Sequence, residues 1–300
     1  GVNLLSHVAT TAVLGLLMVE AGAGIAAAWI GVLWFALLPA HVEPVAWISG
    51  RTDVWCALFG LLALALHLRG ARGNPWGWRT AATVAFALAL LSKEAAVPLL
   101  GVLAFFAWRK HAESPARIPG WLVQLAPYLA IVVAWALAHQ KIAPGALAVT
   151  PGWPSPSSAE RAWTALAIFP SQLAFLLPGF PHGPDWWIAP ARSAADPRVA
   201  LGVLLHLAAI ALIVRTWRSR SPVVPAVLML WLPSLLMAAV TLTRGVLLQG
   251  ERHMYLPSAG GACLLGIGGW KLWRRGLAPT TLPRWSLSAL YAACLVVSVE

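Results

Sequence analysis

Charged residues are scarce in this sequence. Only 10% of its 300 residues are charged, whereas about 25% is usual for a soluble domain. Hydrophobic residues make up 60% of the chain, and the mean hydropathy is +0.76. A soluble domain cannot bury that much apolar surface. The composition therefore excludes a soluble enzyme and a disordered chain, and it indicates a polytopic membrane protein.

Cysteine and acidic residues are also few. The three cysteines, Cys56, Cys263 and Cys294, lie inside apolar runs, so neither a disulfide framework nor a zinc spacing is present. Ten acidic residues stand against 21 basic ones, which gives a net charge of +11. In a soluble protein this excess would suggest nucleic acid, but in a membrane chain it usually reports topology. We therefore expect no nucleic-acid partner.

Eleven apolar stretches follow one another along the chain, and several fall short of the ~20 residues that a full span needs. They cover about 2–19, 24–40, 54–68, 80–92, 95–108, 121–138, 161–177, 200–214, 223–240, 254–270 and 285–299. Lipid cannot satisfy free backbone groups, so each stretch must be helical or buried in protein. The sequence predicts an all-α, polytopic transmembrane helical bundle within a single domain, 1–300.

Basic residues assign the loops to the two sides of the membrane. By the positive-inside rule, four loops with 13 of the 21 basic residues are expected in the cytoplasm: Arg69, Arg72 and Arg79; Arg109, Lys110 and Arg117; Arg215, Arg218 and Arg220; Lys271, Arg274, Arg275 and Arg284. The outer segments are then 41–53, 93–94, 139–160, 178–198 and 241–253. Stretch 161–177 joins two outer loops and contains Pro170. We expect it to be a re-entrant or interfacial helix, which leaves about ten membrane helices.

Three polar clusters fall on the outer side, where polar groups at membrane depth usually serve function. They are His41, Glu43, Arg51 and Asp53; Lys93 and Glu94; and Glu251, Arg252 and Tyr255. The plainer interpretation makes Asp53 a helix cap paired with Arg51, and Lys93–Glu94 an exposed ion pair. It also makes Arg252 and Tyr255 interfacial anchors. Isolated histidines such as His7 are interpreted as packing or hydrogen-bonding residues.

Four motifs in a fixed order resemble a known family. They are VNLLSH at 2–7, PAHVEPVAWISGRTD at 39–53, LSKE at 91–94 and ERHMYLPS at 251–258. This order is similar to the membrane part of the transmembrane and tetratricopeptide-repeat protein O-mannosyltransferases and their bacterial relatives, within the GT-C glycosyltransferase superfamily. The resemblance extends from residue 1 to about 270. Pro178 and Asp185 match the family loosely.

The resemblance implies an inverting membrane glycosyltransferase whose cavity opens to the outside and to the lipid. The donor would be a mannose-like sugar on a polyprenyl or dolichyl phosphate, and the acceptor would be a hydroxyl of a protein or glycan. The implied site residues are Glu43 and Asp53 as supporting catalytic groups, Arg51, Lys93, Arg252 and Tyr255 at the donor phosphate, and His41, Glu94 and Glu251 in support. The outer acids permit a divalent metal, but no ligand spacing demands one.

The resemblance also carries expectations about extent and location. Such enzymes usually carry a catalytic acid in the first outer loop. This chain is expected to begin at the second span, without that acid, and to be inactive alone. A soluble repeat domain is expected beyond residue 300. The short loops indicate a bacterial inner-membrane protein whose active face is periplasmic.

Two other functional classes stay open. A transporter or lipid-carrier flippase would place ionisable residues near mid-membrane, with access from both sides. A non-catalytic membrane anchor would point its outer acids and bases into water and would have no lined cavity. The clustering of charges on one face favours chemistry on that face.

Overall fold

The chain folds into a helical bundle. A computed structural model describes residues 1–70, 75–111, 120–142, 156–177, 186–187, 189–219, 221–244 and 248–275. In this part of the chain the helices are α1 (Val2–Glu20), α2 (Ile25–Leu37), α3 (Val42–Ala46), α4 (Arg51–Arg69), α5 (Pro75–Ser92), α6 (Leu99–His111), α7 (Gly120–Ile142), α8 (Ser158–Ala174), α9 (Pro197–Thr216), α10 (Val223–Arg244) and α11 (Tyr255–Arg274). Short 3₁₀ turns cover Pro39–His41, Ile48–Gly50, Glu94–Ala96 and Glu251–Met254. Strands β1 (Trp186–Trp187) and β2 (Leu248–Gln249) form one short antiparallel pair, so the all-helical prediction holds apart from these four residues.

Five of the described helices are long and apolar enough to cross a membrane. They are α1, α4 with the turn before it, α7, α9 and α10. A sixth span results if α2 and the segment Pro39–Ala46, which meet at a 58° bend, form one crossing. The predicted count of about ten membrane helices is therefore not confirmed. The predicted stretch at 285–299 and the basic residues Arg72, Arg117, Arg220 and Arg284 lie outside the described residues.

The helices create two chemically different ends of the bundle. At one end, Arg51 Nε donates a hydrogen bond to Asn3 Oδ1 at 3.3 Å. At the other end, Arg69 forms an ion pair with Glu20 at 2.9 Å. Helices α1 and α4 therefore run parallel. We call the first the polar end and the second the basic end.

Small residues let α2 and α11 pack closely. A Cβ atom on Gly266 would lie 2.2 Å from the carbonyl oxygen of Ala27, and one on Gly31 would lie 2.7 Å from that of Ala262. Each helix thus presents two small residues four positions apart, a spacing that brings transmembrane helices into close contact. The contact aligns the end of α2 with the start of α11 at the polar end.

Helix α8 lies alongside α10 in the opposite direction. Arg161, near its start, donates to the carbonyl oxygen of Thr243 at 3.3 Å, near the end of α10. Leu176, just after α8, packs in a cluster that Leu230 of α10 borders. Helix α8 begins with a capping box between Ser157 and Glu160. Its assignment as re-entrant or interfacial stays a prediction.

Two local expectations at the helix starts are corrected. Helix α4 begins at Arg51 with Gly50 at its N-cap and no side-chain cap, so Asp53 lies inside the first turn and does not cap the helix. Helix α5 begins at Pro75, five residues before the apolar stretch. With 18 residues it is ~27 Å long. The more polar residues at its start continue the helix, because helix geometry does not require an apolar side chain at every position.

Candidate functional site

The first and third polar clusters meet at the polar end. The backbone N–H of Arg252 donates to Glu43 Oε2 at 3.0 Å, although the two residues are 209 positions apart. Their side chains form a looser contact, with Arg252 Nη1 3.6 Å from Glu43 Oε1. Helix α3 carries Glu43, and the 3₁₀ turn before α11 carries Arg252. The close packing of α2 on α11 brings these two segments together.

The second cluster joins the first through an ion pair. Lys93 Nζ lies 2.5 Å from Asp53 Oδ1. The side chain of Asp53 is 6% exposed and that of Lys93 is 17% exposed, so both charges are largely removed from water. The plainer interpretation, an exposed Lys93–Glu94 ion pair, does not hold: Lys93 pairs with Asp53, while Glu94 is exposed. The antiparallel return of α5 onto α4 places Lys93 beside Asp53.

Arg51 also has partners other than the expected Asp53. Its Nε donates to Asn3 Oδ1, and its guanidinium lies 5.6 Å from the ring centroid of Trp55. Asn3 in turn donates to the carbonyl oxygens of Pro44, at 3.3 Å, and Trp47, at 2.8 Å. Asn3 therefore holds the loop that carries Glu43. Sequence reasoning assigned Asn3 no role, although it lies within the VNLLSH motif.

Trp47, in the loop that carries Glu43, contacts the guanidinium group of Arg252. The Arg252 guanidinium lies 4.7 Å from the Trp47 ring centroid, within the range of a cation–π interaction. The Trp47 side chain is 47% exposed. Arg252 is thus fixed by Glu43 and Trp47, while 23% of its own side chain stays exposed.

Tyr255 forms a hydrogen bond with His7 inside the bundle. The Tyr255 hydroxyl and His7 Nδ1 are 2.7 Å apart, across a sequence separation of 248 residues. Because His7 Nε2 lies 3.2 Å from the carbonyl oxygen of Ala36 and must donate there, the Tyr255 hydroxyl donates to Nδ1. Tyr255 is completely buried. We therefore treat it as a positioning residue rather than a direct ligand of a phosphate.

His41 lies beside this pair. The Ser258 hydroxyl donates to the carbonyl oxygen of Tyr255 at 2.7 Å, so it accepts the proton of His41 Nε2 at 2.9 Å. The rings of His7, Phe35, His41 and Tyr255 pack within 5.8 Å of one another. This buried cluster ties α1, α2 and α11 together directly beneath the charged residues.

His253 links the two ion pairs electrostatically. Burial and then the positive charges of Lys93 and Arg252 lower the pKa of His253 to about 3. Its Nδ1 accepts a hydrogen bond from the N–H of Gly250 at 3.2 Å. His253 is therefore neutral near pH 7 and lies within the field of both cations. Glu43, Arg252, Asp53, Lys93 and His253 form what we call the charged site.

The charged site offers cations for an anion and carboxylates that orient them. Glu251, the carboxylate of the third polar cluster, is 2% exposed. Within the described residues, no group of three His, Cys, Asp or Glu side chains is arranged to hold a metal ion. Pro178 and Asp185 lie outside the described residues. Pairing of β1 with β2 places Trp187 opposite Leu248, three residues before Glu251.

Comparisons with known proteins show partial similarity to protein O-mannosyltransferases. The chain is 38% identical over 79 residues to human protein O-mannosyl-transferase TMTC2, a match that covers 25% of this chain and 9% of that protein. It is 35% identical over 88 residues to mouse protein O-mannosyl-transferase TMTC4, covering 27% and 12%. The matches therefore span about a tenth of the length of these curated relatives. No protein-family model and no solved structure matches the chain.

Proposed function

We propose that this chain forms the membrane part of a glycosyltransferase. It moves a mannose-like sugar from a polyprenyl-phosphate donor to a hydroxyl of a protein or glycan, with inversion at the anomeric centre. The observation that carries the proposal is the charged site, in which Glu43–Arg252 and Asp53–Lys93 meet at one end of an apolar helical bundle. The partial similarity to protein O-mannosyltransferases supports it.

The two cations are suited to a lipid phosphate as leaving group. The carboxylates are each 6% exposed, whereas Lys93 and Arg252 keep 17% and 23% of their side chains exposed. The 3.6 Å contact with Glu43 is longer than a hydrogen bond, so the guanidinium retains donors for a phosphate oxygen. Cations fixed before the reaction stabilise the charge that develops as the sugar–phosphate bond breaks. Arg51, held on Asn3, is a third candidate cation for the donor.

The carboxylates supply the other half of the proposed chemistry. Glu43 and Asp53 shape the pocket for the acceptor and the donor sugar and hold the cations in place. Glu251, buried next to Arg252 in the chain, orients that cation, and His41 and Tyr255 position the segment that carries Arg252. The active face is the outer one, the periplasmic face of a bacterial inner membrane in this proposal.

A transporter fits the distribution of charge less well. Both pairs of the charged site lie at the polar end, and the interhelical ion pair Arg69–Glu20 lies at the opposite end. A transporter commonly carries its ionisable residues near the bilayer midplane. Among the described residues, the placement of these three ion pairs at the two ends of the bundle fits a reaction at one face better than transport.

The test is sugar transfer in membranes that contain the full-length protein. A radiolabelled polyprenyl-phosphate mannose is supplied, and label in protein or water-soluble product is counted for wild type, Glu43→Gln and Arg252→Ala. We expect each substitution to lower transfer about 100-fold or more, because each removes a preorganised charge. Arg198→Ala is the control, since Arg198 pairs with Asp196 on α9.

Two results would contradict the proposal. Wild-type protein that transfers no sugar from mannose, glucose or arabinose donors would contradict the assignment as a transferase. Arg252→Ala protein that transfers as well as wild type would remove Arg252 from the donor phosphate. Loss of transfer in Arg198→Ala to the same degree would show that the assay reports general damage.

A further inference from the structure

Gln172 is a buried amide without a protein partner. Its side chain, on α8, is 1% exposed. In the described part of the chain, neither its Oε1 nor its Nε2 has a hydrogen-bond partner. Buried side-chain amides almost always have partners, because leaving them unpaired costs free energy. A buried amide without protein partners indicates a position where a bound molecule supplies the hydrogen bonds.

Gln172 shares a helix face with residues that line the base of the charged site. Phe175 and Leu176 follow it by three and four positions, so all three project from the same side of the chain. Phe175 and Leu176 pack in one cluster with Ala40 and Met254. Ala40 directly precedes His41, and Met254 directly follows His253. Gln172 is therefore about one helical turn from side chains that pack against the chain neighbours of His41 and His253.

Neighbouring polar groups on the facing helices are already paired. The Trp231 indole N–H donates to His206 Nδ1 at 2.8 Å, and the His206 ring stacks on Phe169 of α8. Ser234 donates to the carbonyl oxygen of Leu230 at 2.9 Å. These groups are satisfied within the bundle, whereas Gln172 on the same interface is not. In the described part of the chain, His41 Nδ1 and Arg161 Nε also lack a partner, but those side chains are paired through another nitrogen, whereas both polar atoms of Gln172 are unpaired.

We propose that Gln172 recognises hydroxyl groups of the donor sugar. A side-chain amide carries two donors and an acceptor, which suits adjacent hydroxyls on a hexose. In this proposal, the sugar extends from a phosphate held by Lys93 and Arg252 toward the end of α8, where Phe175 and Leu176 pack with Ala40 and Met254. This inference rests on the proposed function, and it makes Gln172 a specificity-determining residue.

The test separates binding of the sugar from binding of the lipid phosphate. Thermal stabilisation of the purified full-length protein is measured with polyprenyl phosphate and with polyprenyl-phosphate mannose. Wild type is expected to gain more from the mannose donor. In Gln172→Leu, we expect the two ligands to stabilise equally, with binding of the mannose donor weakened about tenfold. Gln140→Leu, at an exposed position on α7, is the matched control and should behave as wild type.

The unliganded protein provides a readout that distinguishes recognition from a structural role. If the amide is unpaired without donor, Gln172→Leu should melt at the same temperature as wild type or higher, since an apolar side chain removes the buried polar group. A lower melting temperature, together with an unchanged preference for the mannose donor, would overturn the inference. Gln172→Asn, which shortens the amide, should also lose the preference.

Failure of the proposed function gives a different pattern. A wild-type protein that transfers no sugar but still prefers the mannose donor would contradict the transferase and retain sugar recognition by Gln172. Transfer that Arg252→Ala abolishes and Gln172→Leu leaves unchanged, including its KM for the donor, would retain the transferase and overturn the role of Gln172.

Discussion

At the scale of single residues, the Asp53–Lys93 pair shows how the fold assigns partners. Asp53 has Arg51 two positions away, but its side chain contacts Lys93, which is 40 positions away. The pair is mostly buried, and a buried ion pair adds little net stability relative to an apolar pair. Removal of one partner is costly, because it leaves an uncompensated charge inside the bundle. The presence of the pair is therefore better explained by a role in the charged site than by a contribution to folding.

Replacement of one partner of this pair should destabilise the protein. Lys93→Met leaves the Asp53 carboxylate without its cation and should lower the free energy of unfolding by roughly 3 kcal/mol. The double variant Asp53→Asn/Lys93→Met should recover much of that loss, since neither charge remains. The melting temperature in detergent measures both. If Lys93→Met melted like wild type, the ion pair would not hold the two helices together.

At the scale of elements, small residues decide how the bundle closes beneath the charged site. Glycines at 31 and 266 allow backbone contact between α2 and α11 that any larger side chain would block. This contact sets the distance between the loop of Glu43 and the turn of Arg252. Helices in lipid gain no hydrophobic driving force from association, so such close packing is a main source of their stability.

Two glycines of α11 allow a matched comparison. A Cβ on Gly266 would meet the Ala27 carbonyl oxygen at 2.2 Å, whereas one on Gly268 has no neighbour within 4 Å. Gly266→Ala should therefore destabilise the protein by about 1–3 kcal/mol. Gly268→Ala should be neutral or stabilise it by up to about 1 kcal/mol, because alanine favours the helix. Melting temperatures that fell equally in both variants would rule out the backbone contact as the cause.

At the scale of the whole molecule, the two ends of the bundle are separated by charge. The pair Arg69–Glu20 and the end of α11, with Lys271 and Arg274, lie away from the charged site. From the basic loops and the positive-inside rule we predict that the basic end faces the cytoplasm and that the charged site faces the outer side.

Cysteine labelling in intact cells tests this orientation. Ser49 and Arg274 are exposed at opposite ends, and the native Cys56 and Cys263 are buried. In a Cys294→Ala background, Ser49→Cys should react with a membrane-impermeable maleimide added outside. Arg274→Cys should react only after the membrane is permeabilised. The reverse pattern would place the charged site on the cytoplasmic face and contradict the predicted topology.

Much of the helix layout was predictable from the sequence. The apolar stretches at 2–19, 121–138 and 223–240 correspond closely to α1, α7 and α10. The backbone N–H and C=O groups of a long apolar segment find no hydrogen-bond partners in lipid. They must therefore bond to one another, so composition alone predicts a helix. The same reasoning located the polar clusters in the segments between helices. The predicted count of about ten membrane helices is not confirmed, because an apolar run short of full length fits a buried helix as well as a span.

The composition and apolar pattern alone were enough to identify a helical membrane protein and to gather its candidate site residues in a few short segments. Only the tertiary structure decided how those residues pair: Glu43 with Arg252, Asp53 with Lys93, and Tyr255 with His7. It also isolated Gln172, which no sequence motif marked. Helix formation depends on local composition, whereas pairing depends on which helix ends pack together. That packing is set by contacts such as Gly266 on Ala27, between residues far apart in the chain.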